Sequence, residues 1–130
     1  MEPSVGRSIA ELDTPALIVD LDALDRNIAR IAETCRRNGK AWRPHIKGQK
    51  IPAIAHKAIA AGAMGVTCAK LGEAEIMAAA GVGDILIANQ IVGSERVRRL
   101  AGLSRQARLT VAADDETQIA ALDQAARAAG

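Results

Sequence analysis

The chain has 130 residues, of which 49% are hydrophobic and 25% are charged, and its formal net charge at pH 7 is +2. These values are typical of one globular domain, and the small, dispersed charge argues against binding to nucleic acid. No uncharged apolar stretch approaches the roughly 20 residues that a transmembrane helix needs, so no membrane contact is expected.

The amino terminus and the two cysteines indicate where the protein resides. Residues 1–13 lack the apolar core and cleavage site of a signal peptide, and residues 1–12 are expected to form a flexible segment. Cys35 and Cys68 lack the close spacing of a zinc site or a disulfide framework. We therefore expect a cytoplasmic protein.

Five short apolar runs predict strands. They are β-branched or aliphatic without strict alternation, as is typical of parallel strands covered on both faces. The runs are residues 16–19, 42–47, 65–69, 84–88 and 108–112.

Helical patterns lie between these runs. The first has apolar residues at spacings of three and four from Leu21 to Cys35, and Gly39 ends it. The later helices are expected to begin at Pro52, near Glu73, after an N-cap at Ser94, and after an N-cap at Asp114 or Asp115.

The alternation of strands and helices predicts parallel strands joined by helical crossovers. Two folds use such units: an open doubly wound sheet, and the (β/α)8 barrel of about 250 residues. The pattern alone slightly favours the open sheet, because half of a barrel leaves two strand edges unpaired.

Polar residues cluster where the predicted strands end, and in both folds ligands bind at the carboxyl ends of parallel strands. Lys47 ends the second run. An amine that lies near other cations and is partly removed from water is nucleophilic, and such lysines form Schiff bases with carbonyl compounds. Arg43 and Lys50 are the candidate cations, and a solvated lysine at a strand end is the structural alternative.

The run Arg43-Pro44-His45-Ile46-Lys47 carries a family resemblance. It resembles the motif Arg-Pro-His-x-Lys-x-His-Lys of D-threonine aldolases and eukaryotic-type D-serine dehydratases, in which the first lysine carries pyridoxal 5'-phosphate (PLP). Three further stretches match in order: Asp13-Thr14-Pro15-Ala16 with Asp20-Leu21-Asp22 and Asn27, then Leu71-Gly72-Glu73-Ala74-Glu75, then Asn89-Gln90.

The resemblance implies a fold, a cofactor and a substrate class. The fold is a partial (β/α)8 barrel, with residues 13–130 as the amino-terminal half of an alanine-racemase-like PLP domain. Lys47 is implied as the Schiff-base lysine, and His45, Arg43 and Gln90 as residues near the cofactor. The implied activity is a lyase acting on D-3-hydroxy amino acids, in a homodimer of the full-length protein. A divalent metal is expected only in a carboxyl-terminal part outside this chain, and the 130 residues alone are expected to be weakly active or inactive.

Several alternatives stay open. A hydrogen bond beneath the strand end is the structural alternative for His45, and an ion pair with a nearby acid is the alternative for Arg43; His56 is expected on a helix surface. The second motif histidine is Gln49 here, and a glutamine near PLP in several members is Ala69. The alternative functions are D-serine dehydratase-like deamination, an amino-acid racemase, and a non-catalytic PLP-binding protein.

Overall fold

A computed structural model describes residues 5–130 and contains one parallel three-stranded sheet. Its strands are β1 (Val66–Cys68), β2 (Asp84–Gln90) and β3 (Arg108–Ala112), which lie in the order β1-β2-β3. The helices are α1 (Leu21–Arg37), α2 (Pro52–Ala60), α3 (Leu71–Ala79), α4 (Ser94–Leu103) and α5 (Glu116–Ala129). The predicted α/β class is confirmed, and α3 and α4 are the crossovers between parallel neighbours.

The core lies on one face of the sheet. Cys68 is opposite Ile87, which in turn is opposite Val111, so these three side chains share a face. Cys68 and Ile87 are fully buried and belong to one cluster with apolar residues of the helices, among them Met77 of α3 and Leu100 of α4. Burial of this face is the main source of stability that the fold offers.

The other face of the sheet is uncovered. Thr67, Leu86 and Thr110 are opposite one another across the three strands and point away from the helix-side core. Thr110 is exposed and Leu86 is half-buried, whereas Thr67 of β1, beside residues 42–47, is 8% exposed. Because the strand order never reverses within residues 5–130, successive crossovers place their helices on the same side. The described residues therefore lack the reversal and the second helical layer of an open doubly wound sheet.

Residues 42–47, predicted as a strand, run alongside β1 but pair with it as a strand at only one position. Met64 and Thr67 donate N–H groups to the carbonyl oxygens of Trp42 and Pro44 at 3.1 and 2.8 Å, and Ile46 donates to Thr67 at 2.9 Å. Parallel pairing is confined to an isolated bridge between His45 and Thr67. Pro44 has no N–H to give to a ladder, which explains why the strand prediction here is only partly met.

Residues 16–19, also predicted as a strand, have no strand partner among residues 5–130, so that prediction is wrong for the described chain. Leu17 is 80% exposed and Ile18 is 48% exposed. An apolar run forms a strand only where another backbone lies beside it and completes its hydrogen bonds. Of the expected flexible segment, residues 1–4 lie outside the described residues, and Ile9–Glu11 forms a short 3₁₀ helix capped by Ser8.

The helix boundaries follow the sequence signals with two corrections. The predicted stop at Gly39, the start at Pro52 and the cap at Asp115 are confirmed, and Asp115 accepts N–H groups of Thr117 and Gln118 at 2.9 and 3.1 Å. The N-cap of α4 is Gly93, not Ser94, which is its first residue, and α3 begins at Leu71 instead of near Glu73. None of the helices in residues 5–130 is long and apolar enough to cross a membrane.

Candidate functional site

Lys47 lies at the carboxyl edge of the sheet, directly after the extended segment of residues 42–46. Ile46 is fully buried in the helix-side core. Since successive side chains of an extended segment point to opposite faces, His45 projects to the other side. Lys47 begins the turn that follows this segment, and both residues are exposed to solvent. The expectation that Lys47 is partly removed from water is therefore not met within the described residues.

Lys47 belongs to a single turn that the backbone closes. The N–H of Lys50 donates to the carbonyl oxygen of Ile46 at 2.8 Å, and this bond encloses Lys47, Gly48 and Gln49. Lys50 has a φ of 55°, the one positive φ at a non-glycine residue within residues 5–130. A side chain makes this left-handed conformation unfavourable, so neighbouring contacts must hold it.

The charges around Lys47 are compensated. The guanidinium of Arg43 lies 2.7 Å from Asp84, and the ammonium of Lys50 lies 3.5 Å from Glu73. Arg43 and Lys50, the two candidate cations, are thus each paired with a carboxylate. The Lys47 ammonium itself makes no hydrogen bond or ion pair with any residue from 5 to 130.

His45 is bonded to the turn that follows it. Its Nδ1 accepts the N–H of Lys47 at 3.2 Å, so the proton of the neutral ring is on Nε2. This local contact with the backbone is the structural role that the sequence left open. The ring is nevertheless exposed, and its Nε2–H is available as a donor.

Glu73 connects the Lys47 turn to the end of β1. The sequence by itself predicts only that this carboxylate lies in the first turn of a helix, where the helix dipole favours a negative charge. Its Oε2 accepts the N–H of Ala69 at 2.7 Å, its Oε1 faces Lys50, and its side chain is only 10% exposed. Burial raises the pKa of Glu73, but the N–H of Ala69 and the positive charge of Lys50 outweigh it and lower the pKa from its usual range. Glu73 is therefore a carboxylate at neutral pH.

The polar contacts continue along the carboxyl edge. The amide nitrogen of Asn89 donates to the carbonyl oxygen of Ala69 at 3.3 Å, and that of Gln90 donates to Asp114 at 2.8 Å. Together with the contacts of Glu73 to Lys50 and Ala69, these bonds link the carboxyl ends of residues 42–46, β1, β2 and β3. The side chain of Gln90 thus lies at the predicted edge, held by an acid from the loop after β3.

Arg43 lies at the opposite end of the sheet from Lys47. Its guanidinium bonds to Asp84, the first residue of β2, and to the carbonyl oxygen of Val66, the first residue of β1, at 2.7 and 3.4 Å. Both partners mark the amino-terminal edge. The structure thus gives Arg43 the role of pairing with a nearby acid, and it does not bring Arg43 to the cofactor residues predicted with it.

The remaining candidates have structural roles. Burial, with a smaller contribution from the negative charge of Glu73, raises the pKa of the Cys68 thiol to about 11, so it stays protonated inside the core. His56 is exposed on α2, as expected, and its Nε2 lies 2.8 Å from the carbonyl oxygen of Ala80. Residues 5–130 contain no cluster of three or more His, Cys, Asp or Glu side chains that could hold a metal ion.

A groove of about 860 Å³ lies between α4 and α5 and is lined in part by Ala101, Gly102, Ala121 and Ala125. Neither Lys47 nor His45 lines it. Small apolar residues on two adjacent helices leave such a groove simply because they do not fill it. We therefore assign the candidate site to the carboxyl edge, where the polar groups converge, and not to this groove.

The chain is similar to known proteins over nearly its whole length. The family described as alanine racemase, N-terminal domain, matches residues 19–130. A D-threonine aldolase of an Arthrobacter species is 37% identical over 125 residues, which cover 96% of this chain and 33% of that protein. A D-threo-3-hydroxyaspartate dehydratase of Delftia sp. (strain HT23) is 46% identical over 81 residues, which cover 62% of this chain and 21% of that protein.

A solved structure agrees with these relatives. The crystal structure of D-threonine aldolase from Filomicrobium marinum matches with a TM-score of 0.91 and 46% sequence identity. The match covers 93% of this chain and 33% of the aldolase chain. The chain thus spans about a third of the length of the D-threonine aldolases that it matches. The resemblance that the motif around Lys47 indicated is confirmed, and the chain belongs to the alanine racemase N-terminal domain family.

Proposed function

We propose that this chain is the cofactor-lysine part of a PLP-dependent lyase that acts on D-3-hydroxy amino acids, with Lys47 as the lysine that binds PLP. The observation that carries the proposal is the position of the Lys47 amine. It is exposed at the carboxyl edge of a parallel sheet, and no group in residues 5–130 forms a hydrogen bond or an ion pair with it. Ligands of such sheets bind at this edge.

We propose further that the sheet is an arc of a (β/α)8 barrel. Residues 42–46 and β1–β3 follow one another in space as they do in sequence, and the helical layer covers one face. In a barrel the uncovered face becomes the packed interior, which side chains from alternate strands fill in layers. His45, Thr67, Leu86 and Thr110 are paired positions on this face and would point into that interior.

The described residues fit covalent attachment of PLP. Lys47 offers a primary amine with no competing partner within residues 5–130, and His45, which accepts the Lys47 N–H, offers an exposed N–H donor nearby. The turn from Ile46 to Lys50 fixes the backbone of the lysine. PLP, when bound, supplies a conjugated ring that takes up the electron pair freed at the α carbon of an amino acid. Gln90, bonded to an acid of the loop after β3, forms the polar rim on the far side of this edge.

Two lyase reactions compete for the substrate, and relatives of both kinds match the chain. Cleavage between Cα and Cβ gives glycine and an aldehyde, as expected of the aldolase that covers 96% of the chain. Loss of the β-hydroxyl gives a keto acid and ammonia, and a dehydratase is 46% identical over a shorter stretch. We propose the aldolase reaction because the aldolase match extends over nearly the whole chain. Residues 5–130 contain no cluster of metal ligands, so the roles proposed for them involve no metal.

Product analysis tests the proposal. The protein is expressed from its complete open reading frame, supplied with PLP and a divalent cation, and incubated with D-threonine. We expect glycine and acetaldehyde in equal amounts, and none with L-threonine. Lys47→Ala should abolish the reaction, whereas Lys40→Ala, which removes another exposed lysine, should leave it unchanged.

Other products would replace the proposal by a named alternative. A keto acid with ammonia would assign the dehydratase reaction, and conversion to the other enantiomer would assign a racemase. Binding of PLP without turnover of any D-amino acid would indicate a non-catalytic PLP-binding protein. Equal activity of Lys47→Ala and the unmodified protein would contradict the assignment of Lys47.

A further inference from the structure

The turn that carries Lys47 is held at its far end by an unusual residue. Lys50 closes the turn through its N–H to Ile46 at 2.8 Å while its own backbone has a φ of 55°. A backbone in this region persists in a residue with a Cβ only where the surroundings over-determine it. The side chain of Lys50 supplies such a constraint, because its ammonium lies 3.5 Å from the carboxylate of Glu73.

Glu73 is itself fixed. It lies in the first turn of α3, its side chain is 10% exposed, and its second oxygen accepts the N–H of Ala69 at 2.7 Å. That N–H belongs to the residue directly after β1, so the carboxylate is tied to the sheet that defines the edge. A buried carboxylate with one backbone donor and one ammonium has little freedom to move away from either.

We infer that Glu73 and Lys50 are positioning residues, which set the direction of the Lys47 amine by clamping the end of its turn to the carboxyl end of β1. This inference rests on the proposed function, in which Lys47 binds PLP. Neither residue needs to touch the cofactor. The clamp acts through the backbone of three enclosed residues, since both ends of the turn are bonded to elements of the core.

The test compares single variants of the protein expressed from its complete open reading frame. Glu73→Gln keeps the shape of the side chain and an oxygen for the Ala69 N–H but removes the charge that faces Lys50. Lys50→Met removes the ammonium from a side chain that is 59% exposed, and it leaves the backbone conformation equally unfavourable. Glu75→Gln is the matched control, because Glu75 lies on the same helix and pairs instead with Arg99 of α4.

Two readouts report on the position of Lys47 and not on folding. They are the dissociation constant of PLP, from an absorbance titration, and the visible circular dichroism of bound PLP at saturation, which reports on its fixed orientation. Both are measured at a temperature where far-ultraviolet circular dichroism shows every variant folded. We expect Glu73→Gln and Lys50→Met each to raise the dissociation constant on the order of tenfold, equivalent to about 1.4 kcal/mol, and to reduce the dichroic signal. Glu75→Gln should change neither.

The double variant decides whether the two residues act together. Glu73→Gln with Lys50→Met should raise the dissociation constant no more than the stronger single variant, because the pair is already broken. Additive effects, or single variants that match Glu75→Gln in both readouts, would overturn the inference while leaving PLP binding by Lys47 intact. If the unmodified protein binds no PLP through Lys47, the proposed function fails, and this inference fails with it.

Discussion

Side chains within residues 43–47 lie in different environments. This segment leads from the amino-terminal edge of the sheet to its carboxyl edge, and its extended part alternates between the two faces. Arg43 reaches the amino-terminal edge, where it pairs with Asp84. Ile46 is buried in the core, and Lys47 is exposed in the turn directly after it. One short motif therefore contains a structural ion pair, a core residue and the candidate cofactor lysine.

Replacing Arg43 separates its structural role from a role in cofactor binding. Arg43 and Asp84 are only 15% and 19% exposed in their side chains, so Arg43→Met leaves a partly buried carboxylate without its main partner. We expect the free energy of unfolding to fall by roughly 1.5–3 kcal/mol, the usual size of a hydrogen bond to a charged group. Urea unfolding, followed by the fluorescence of the single tryptophan Trp42, measures this change.

The affinity for PLP provides the second half of that test. Because Arg43 bonds to the amino-terminal ends of β1 and β2, the folded Arg43→Met variant should bind PLP as the unmodified protein does. A large loss of affinity with unchanged stability would instead place the guanidinium in the cofactor site.

The two cysteines should differ in reactivity. The pKa of the Cys68 thiol is about 11, since burial disfavours its thiolate, and the side chain is 0% exposed. At about pH 8, just below the ordinary thiol pKa, iodoacetamide should therefore modify half-buried Cys35 first and reach Cys68 only after unfolding. Mass spectrometry of native and urea-treated protein distinguishes the two sites. Equal labelling of both in the native state would contradict the packing of β1.

At the scale of elements, helices are easier to predict than strands. The apolar stripe of α1, the start of α2 at Pro52 and the Asp115 cap of α5 are local signals, and the structure confirms them. Strand formation depends on a neighbouring backbone, which sequence periodicity does not supply. Residues 16–19 have the same apolar character as β1 but lie beside no strand in the described chain.

The same distinction applies to the candidate site. The motif around Lys47 indicates that residue, because the motif is a continuous stretch of sequence. The sequence indicates only a helix-dipole role for Glu73, because its partners Lys50 and Ala69 come together through the tertiary fold. The positive φ of Lys50 likewise has no signature in the residues around it. An acid in the first turn of a helix that directly follows a strand is the signal that could have indicated Glu73.

The start of β1 depends on a glycine. A Cβ on Gly65 would collide with the carbonyl oxygen of Asp84 and would lie 2.7 Å from the guanidinium of Arg43. Gly65→Ala should therefore push β1 away from β2 and lower the free energy of unfolding by roughly 1–3 kcal/mol, as overpacking does. Gly83→Ala is the matched control, since nothing lies within 4 Å of a Cβ there. Equal stabilities of the two variants, by urea unfolding, would contradict the described approach of the strands.

At the scale of the whole molecule, several apolar surfaces lie uncovered within residues 5–130. The uncovered face of the sheet includes Leu86, α1 has no buried residue despite its apolar stripe, and Leu17 and Leu21 are 80% and 60% exposed. Several exposed apolar residues on one face of a sheet and on one helix favour packing against further protein. This exposure agrees with the proposal that the sheet is an arc of a barrel.

The isolated 130 residues should show these surfaces directly. If the sheet is an arc, the chain expressed alone should bind the dye ANS and elute from a sizing column ahead of a compact monomer, because its apolar faces associate. A compact monomer that binds no dye and unfolds in a single cooperative transition would argue for a closed domain and against the arc.

The central claim is that PLP binds Lys47 and no other lysine. The protein expressed from its complete open reading frame is incubated with PLP, reduced with borohydride, digested and mapped by mass spectrometry. Of the five lysines in this sequence, Lys40, Lys47, Lys50, Lys57 and Lys70, we expect the reduced PLP adduct on Lys47 alone, and no stoichiometric adduct in Lys47→Ala. An adduct on Lys70 or Lys50, or one spread evenly over the exposed lysines, would contradict the account.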